Sequence, residues 1–236
     1  MKKLFTVSVM ALLASFTFAQ ELDLPEDEGG LESGDLLIEI TSSPFGRDIT
    51  NNYSESYGLN LLNFGQMRAR FALTDQIVPR LGIWFSLDDN KSGLSSPDDV
   101  ITITEMMFSP GVEYHFINEN GFTSYAALDV LVSSRSILFE SATDSDVSGL
   151  DRVPNTDNPS DGLDSRGYFG LGAYGAVGAD YHFSSRFYIG TEIGLQFMTG
   201  TTQDVEVDGT LVQAGFKFFD AGVNTMNSFR IGFKLL

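Results

Sequence analysis

The chain has 236 residues, 32 acidic and 14 basic side chains, and a formal net charge of −18. That balance excludes nucleic acid as a partner, because phosphate binding needs a basic surface. The absence of cysteine excludes a disulfide framework and a lipid-modified cysteine.

Lys2 and Lys3 precede an apolar run from Leu4 to Phe18, and Thr17-Phe18-Ala19 resembles a cleavage site. Residues 1–19 are therefore expected to be a secretory signal peptide. Its removal takes away two lysines and no acid, moving the net charge from −18 to −20. Residues 20–33, "QELDLPEDEGGLES", read as an acidic, solvated tether. Strand-like runs follow at 34–42, 58–73, 79–88, 100–116, 121–139, 167–183, 186–199 and 228–236. No later segment holds about 18 consecutive apolar residues, so no transmembrane helix is expected.

The connections between these runs alternate in length. Those at 74–78, 117–120 and 184–185 are short, and those at 43–57, 89–99, 140–166 and after 199 are long. In a meander this places every short turn at one end, the arrangement of outer-membrane barrels. The expected fold is all-β, an antiparallel up-and-down transmembrane β-barrel of eight strands spanning 34–236. Ten strands is the alternative, because "LVQAGFKFF" (211–219) is also strand-like. Asp208-Gly209 before it has the form of a tight hairpin turn, which makes that run the return arm of a long external hairpin.

Side-chain parity separates two faces. One carries Leu36, Ile38, Ile40; Met67, Ala69, Phe71, Leu73; Leu81, Ile83, Phe85, Leu87; and the even positions 106–116 and 122–132. It continues through the odd positions 169–183, 187–197 and 229–235. None of these positions is charged, in a chain that is 19% charged. The opposite parity holds six bases, Arg68, Arg70, Arg80, Arg135, Arg230 and Lys234, and six acids, Glu39, Glu105, Glu113, Asp129, Asp180 and Glu192. Buried charges must be paired. A balanced set suits a narrow closed lumen, and the expected lumen network is Arg68, Arg70, Glu105, Glu113, Asp129, Arg135, Asp180, Glu192 and Arg230. A soluble sandwich would show the same alternation with the faces reversed.

"GYFGLGAYGAVGADYHF" (167–183) contains G-x-G-x-x-G at Gly170, Gly172 and Gly175, with Glu192 further on. A dinucleotide fingerprint needs a helix after the motif. The period here is two, so a strand is expected, with glycines making room for large inward residues such as Tyr168, Tyr174 and Trp84. Two acid–histidine pairs, Glu113/His115 and Asp180/His182, lie beside short turns. No serine sits in a nucleophile motif, and the pairs read as lumen polar groups rather than a catalytic dyad. In the loop 140–166, Asp144, Asp146, Ser148 and Gly149 begin like a calcium loop, with Asp151 also nearby. The twelfth position is Asn155, not a bidentate glutamate. The set is a weak divalent-ion candidate in a solvated loop.

The last strand, "SFRIGFKLL", resembles the C-terminal insertion signal of Gram-negative outer-membrane barrels. "FSPGVEYHF" and the "SFTFAQ" signal end are similar to the small barrel proteins grouped with OmpX and OmpA in the porin family. The terminal aromatic of that signal is Leu235 here, with Leu236 beyond it. The resemblance implies location in the outer membrane and contact with its lipids, with lipopolysaccharide and with the barrel insertion machinery. It implies no catalytic residue and no cofactor. The expected role is structural or surface-interactive, carried by acidic external loops that meet an unspecified surface or protein. A small passive pore and a soluble secreted binding sandwich are the alternatives.

Overall fold

A computed structural model of the chain describes residues 30–42, 64–92, 99–141, 145–151, 166–224 and 229–235. The expected signal peptide and most of the tether lie outside them. The described elements are all strands: β1 (Leu36–Ser42), β2 (Phe64–Phe71), β3 (Ile77–Ser92), β4 (Asp99–Glu119), β5 (Phe122–Glu140), β6 (Val147–Ser148), β7 (Tyr168–His182), β8 (Phe187–Thr202), β9 (Val205–Val207), β10 (Thr210–Gln213), β11 (Lys217–Asn224) and β12 (Phe229–Lys234).

The pairings close a ring. β1 pairs β2, then β3, β4, β5, β7, β8 and β12 follow in antiparallel order, and β12 returns to β1. The ring has eight staves. β11 pairs β8 from Lys217↔Thr201 to Asn224↔Gly194, and β12 pairs the same strand from Arg230↔Gly190 to Phe233↔Phe187. β11 and β12 are thus the upper and lower parts of one last stave. The run expected at 211–219 therefore splits. Thr210–Gln213 is the return arm of an external hairpin with β9, while Lys217 onward belongs to the barrel wall. The ten-stranded alternative is excluded. Asp208 and Gly209 at the hairpin tip have φ of 49° and 73°, the positive pair that a type I′ turn requires.

The short turns share one end, as expected. Their boundaries differ. β4 runs on to Glu119 through a bulge between His115 and Ile117, and the turn is Asn120-Gly121, with φ of 52° and 74°. This Asn-Gly hairpin signal replaces the longer connection expected at 117–120. In the other two turns a hydroxyl accepts the returning amide: Ile77 N donates to Thr74 Oγ1 at 3.0 Å, and Phe187 N to Ser184 Oγ at 2.9 Å. At the opposite end β6, β9 and β10 extend the sheet from β5 over an apolar cluster of Phe139, Val147, Leu150 and Val205.

Leu31, placed in the tether by composition, is instead buried at the turn end. It packs with Leu37, Ala72, Val78 and Tyr188, while its backbone exchanges two hydrogen bonds with the Asn118 side chain. Gly34 (φ 98°) turns the chain there, and Gly34 N donates to Ala72 O at 2.8 Å. The segment 30–35 thus crosses the short-turn end of the barrel.

The molecule is apolar outside and charged inside. Every expected outward position from Ile38 to Leu235 that is large and apolar is at least partly exposed, Phe85 and Leu87 by 61% and 62%, whereas Arg68, Arg70 and Arg230 are exposed by 1% or less. Inward glycines sit against the bulky groups. A Cβ at Gly178 would overlap the Tyr125 hydroxyl, at Gly190 Asp180, at Gly194 the Tyr174 ring, and at Gly232 the Tyr188 ring. We expect Gly232→Ala to lower the unfolding free energy in detergent by about 1–3 kcal/mol, the usual cost of overpacking. Gly222→Ala, whose methyl would meet no atom within 4 Å, should stay within about 0.5 kcal/mol of wild type. Urea titrations followed by circular dichroism compare the two.

Candidate functional site

Period-two alternation on eight staves aims one set of side chains into a single lumen. Every stave contributes to a buried polar network there: Glu39 from β1, Arg68 and Arg70 from β2, Arg80 from β3, Glu113 and His115 from β4, Tyr125 and Asp129 from β5, Asp180 from β7, Tyr188 and Glu192 from β8, and Arg230 from β12.

Glu192 and Glu39 are its hubs. Glu192 accepts from Arg80 Nη1 at 2.6 Å, Tyr125 OH at 2.8 Å, and Arg68 and Arg230 at 3.4 Å. Glu39 accepts from Tyr188 OH at 2.7 Å, Arg68 Nη1 at 3.0 Å and Arg70 Nη1 at 3.5 Å, with Arg230 Nη1 at 3.6 Å. Asp129 binds Arg80 in bidentate fashion, at 2.7 and 2.6 Å. Glu113 takes Arg70 at 2.5 and 3.1 Å and Arg80 at 3.0 Å. Asp180 bridges Arg70, at 2.9 Å, to Arg230. Five carboxylates thus hold four guanidiniums. Each ion gives up hydration worth several kcal/mol on burial, and only multiple short contacts offset that loss.

The repeated sequences "GVEYHF" and "GADYHF" form a matched pair at the base of this network. His115 stacks on Tyr125 at 5.1 Å and His182 on Tyr188 at 5.0 Å. Arg70 lies 5.5 Å from both tyrosine rings and is bound by the acid of each repeat. The two acid–histidine pairs are not equivalent. His115 Nε2 is 2.9 Å from Glu113, whereas both Asp180 oxygens face arginines. Glu113 is already bound by two guanidiniums, which argues for a structural pair and against a catalytic dyad.

All nine expected network residues face the lumen. Seven join the central cluster. Glu105 and Arg135 form a separate pair at 3.0 Å nearer the long-loop end. Glu39 and Arg80 were on the expected inner parity but complete the cluster more centrally than parity indicates. Tyr125 and Tyr188 were missed as hydroxyl donors. Their inward parity is the available signal, since a buried phenol must find an acceptor. Lys234 pairs with Asp35 at 2.7 Å, an acid the expected set lacked.

Of the divalent-ion candidates, Asp146, Ser148 and Asp151 are among the described residues. Asp144 lies outside the described residues. Asp146 Oδ1 accepts from Ser141 N at 3.1 Å, and its backbone pairs with Asp208. Ser148 is in β6, hydrogen-bonded to β5 and β9. Among the described residues no group of three or more potential ligands is placed to hold a metal.

Arg80→Met should cost about 3–5 kcal/mol, because it leaves buried Asp129 without its guanidinium and takes one partner each from Glu113 and Glu192. Glu105→Gln removes one pair near the open end and should cost clearly less. Urea unfolding of both variants in the same detergent tests the ranking.

No protein-family model matches this chain, and no curated protein matches it. Among solved structures it is similar to the outer membrane protein OprG from Pseudomonas aeruginosa, with 13% identity and a TM-score of 0.45, over 88% of this chain and 98% of that one. It is also similar to the CymD monoaromatic hydrocarbon channel, with 11% identity and a TM-score of 0.32, over 81% of this chain and 52% of that one.

Proposed function

We propose that this chain is an outer-membrane β-barrel whose lumen is closed by its ionic network and whose role is structural or interactive at the cell surface. The height of the apolar band carries the reading. Uncharged outward runs extend from Ile77 to Leu87 on β3, Met106 to Phe116 on β4, Phe122 to Val132 on β5 and Phe187 to Phe197 on β8. Each is ten steps long. At roughly 3.3 Å per residue and a tilt near 40°, each spans about 25 Å, the band height of an outer-membrane barrel. Beyond these runs the outward positions are polar on three strands, Thr104 and Thr102 on β4, Ser134 and Ser136 on β5, Thr199 and Thr201 on β8, while Phe169 of β7 and Phe219 of β11 stand beside them as exposed aromatics of the upper rim. A soluble protein gains nothing from an exposed apolar band of this height on neighbouring strands.

Aromatic residues crowd the short-turn edge. Tyr114, Phe116, Phe122, Tyr181 and Phe183 are outward, and Phe187 lies 6.2 Å from Phe183 and 5.0 Å from Phe233. Such a girdle suits a membrane–water boundary. The export signal read at residues 1–19 supports the same location. The long loops then face outward and meet lipopolysaccharide or external molecules. The insertion machinery is the partner that the C-terminal strand would engage. A passive pore is the second reading, favoured by the solvent-exposed inward residues above the network, Asp220 and Gly222.

The mature protein should sediment with outer membranes and migrate differently on gels before and after boiling. In planar bilayers it should conduct far less than an open porin, because the network leaves no water-filled passage. Recovery from the soluble periplasm with no heat-dependent shift contradicts the membrane reading. Stable porin-like channels turn the assignment to the pore.

A further inference from the structure

We infer that the long-loop half of the lumen is a binding cup for a small organic cation with an apolar body. The cup is distinct from the ionic network, which forms its floor. Arg80 of β3 meets Glu192 of β8 across the lumen at 2.6 Å. Both strands climb from there toward the long-loop end. Four residues up, Trp84 and Gln196 therefore face each other. Trp84 is paired in register with Met107, and Gln196 with Gly222. One inward step higher, Met198 pairs with Asp220 on the far wall, and Ser86 with Glu105 on the near wall.

The space is open. A Cβ at Gly222 would meet no atom within 4 Å. Gly222 and Asp220 are exposed although they face inward, and Trp84, Met107, Gln196 and Met198 are half-buried. Below them Arg80 and Glu192 are buried, with 3% and 1% of their surface exposed, so the cup has a closed floor.

Its chemistry selects the occupant. Asp220 has no ion-pair partner among the described residues. Arg135 is held by Glu105, and Lys217 lies on the outward parity of β11. The floor carries five carboxylates against four guanidiniums. A cation is favoured on every count, and an anion meets net negative charge. An indole face attracts a desolvated cation, and two thioethers supply polarizable apolar contact. A bare metal ion would want several oxygen ligands, whereas of the two carboxylates described at this level Glu105 is already held by Arg135. An ammonium on an aromatic or branched body uses both kinds of wall.

This site rests on the proposed membrane orientation only for the direction in which the cup opens. Trp84 is the chain's only tryptophan, so its emission reports from the cup itself. The test titrates purified, heat-shifting protein in a neutral detergent with benzyltrimethylammonium, benzyl alcohol and phenylacetate. A saturable change in Trp84 emission is expected with the ammonium, at least tenfold weaker with the alcohol and absent with phenylacetate. Asp220→Asn should weaken the ammonium response tenfold or more, and Gly222→Leu, which occupies the cup, should abolish it, both with the gel shift retained. A non-saturable drift, equal responses to ammonium and alcohol, or undiminished binding by Asp220→Asn overturns the proposal. Loss of the heat shift in the wild-type protein would count against the membrane barrel instead, and a saturable, Asp220-dependent response there would still support the cup.

Discussion

Glu192 accepts hydrogen bonds from three guanidiniums and a phenol contributed by four other staves. The rest of the structure depends on such contacts. An eight-stranded ring leaves a lumen that side chains can just fill. If those side chains are charged, each must find partners across the lumen, not merely along its own strand. The closed ring supplies such partners. Glu39 of β1 and Arg230 of β12 meet across the seam where the first and last staves join. Closure of the backbone and pairing of the charges are thus one event, and a register slip at any stave would turn its charged residues into the apolar band.

The glycines follow from the same constraint. Opposite a long or aromatic side chain, a neighbouring stave must give way. Tyr125 lies over Gly178, Tyr188 over Gly232, and Asp180 against Gly190. The glycines of the G-x-G-x-x-G pattern are different: Gly170 lies against Met198 and Phe218, Gly172 against the Phe197 backbone, and Gly175 faces outward with no atom near its Cβ position. Where Gly222 has no such neighbour, the lumen stays open. The wall therefore grades from a packed ionic layer to an unfilled cup within two inward steps.

The two faces were legible because burial on a strand has period two. A parity assignment places each side chain without any knowledge of strand order, and so it found Arg68, Asp129 and Arg230 alike. Which charges touch was not legible. Arg80 reaches Glu192, a residue 112 positions away, through the tilt and stagger of the closed ring, which sequence spacing does not encode. Local composition misled at Leu31, whose acidic neighbours hide one apolar side chain that seats in the barrel mouth. It misled again at 211–219, where one strand-like run straddles a hairpin arm and a barrel stave. The Asn120-Gly121 turn was visible in the sequence as a dipeptide, but the strong alternation before it drew the boundary too early.

A protein built this way places its charge inward and its hydrocarbon outward, with the short turns and aromatics at one rim and the elaborated loops at the other. The most direct test of that inversion uses single cysteines along β7, since the native chain has none. Spin labels at Phe169, Leu171, Val177 and Tyr181 should be relaxed by oxygen, which concentrates in lipid, and shielded from a water-soluble nickel reagent. Labels at Ala176 and Gly178 should be immobilised and shielded from both. The opposite preference on the odd positions, or an accessibility period near 3.6, would contradict the account.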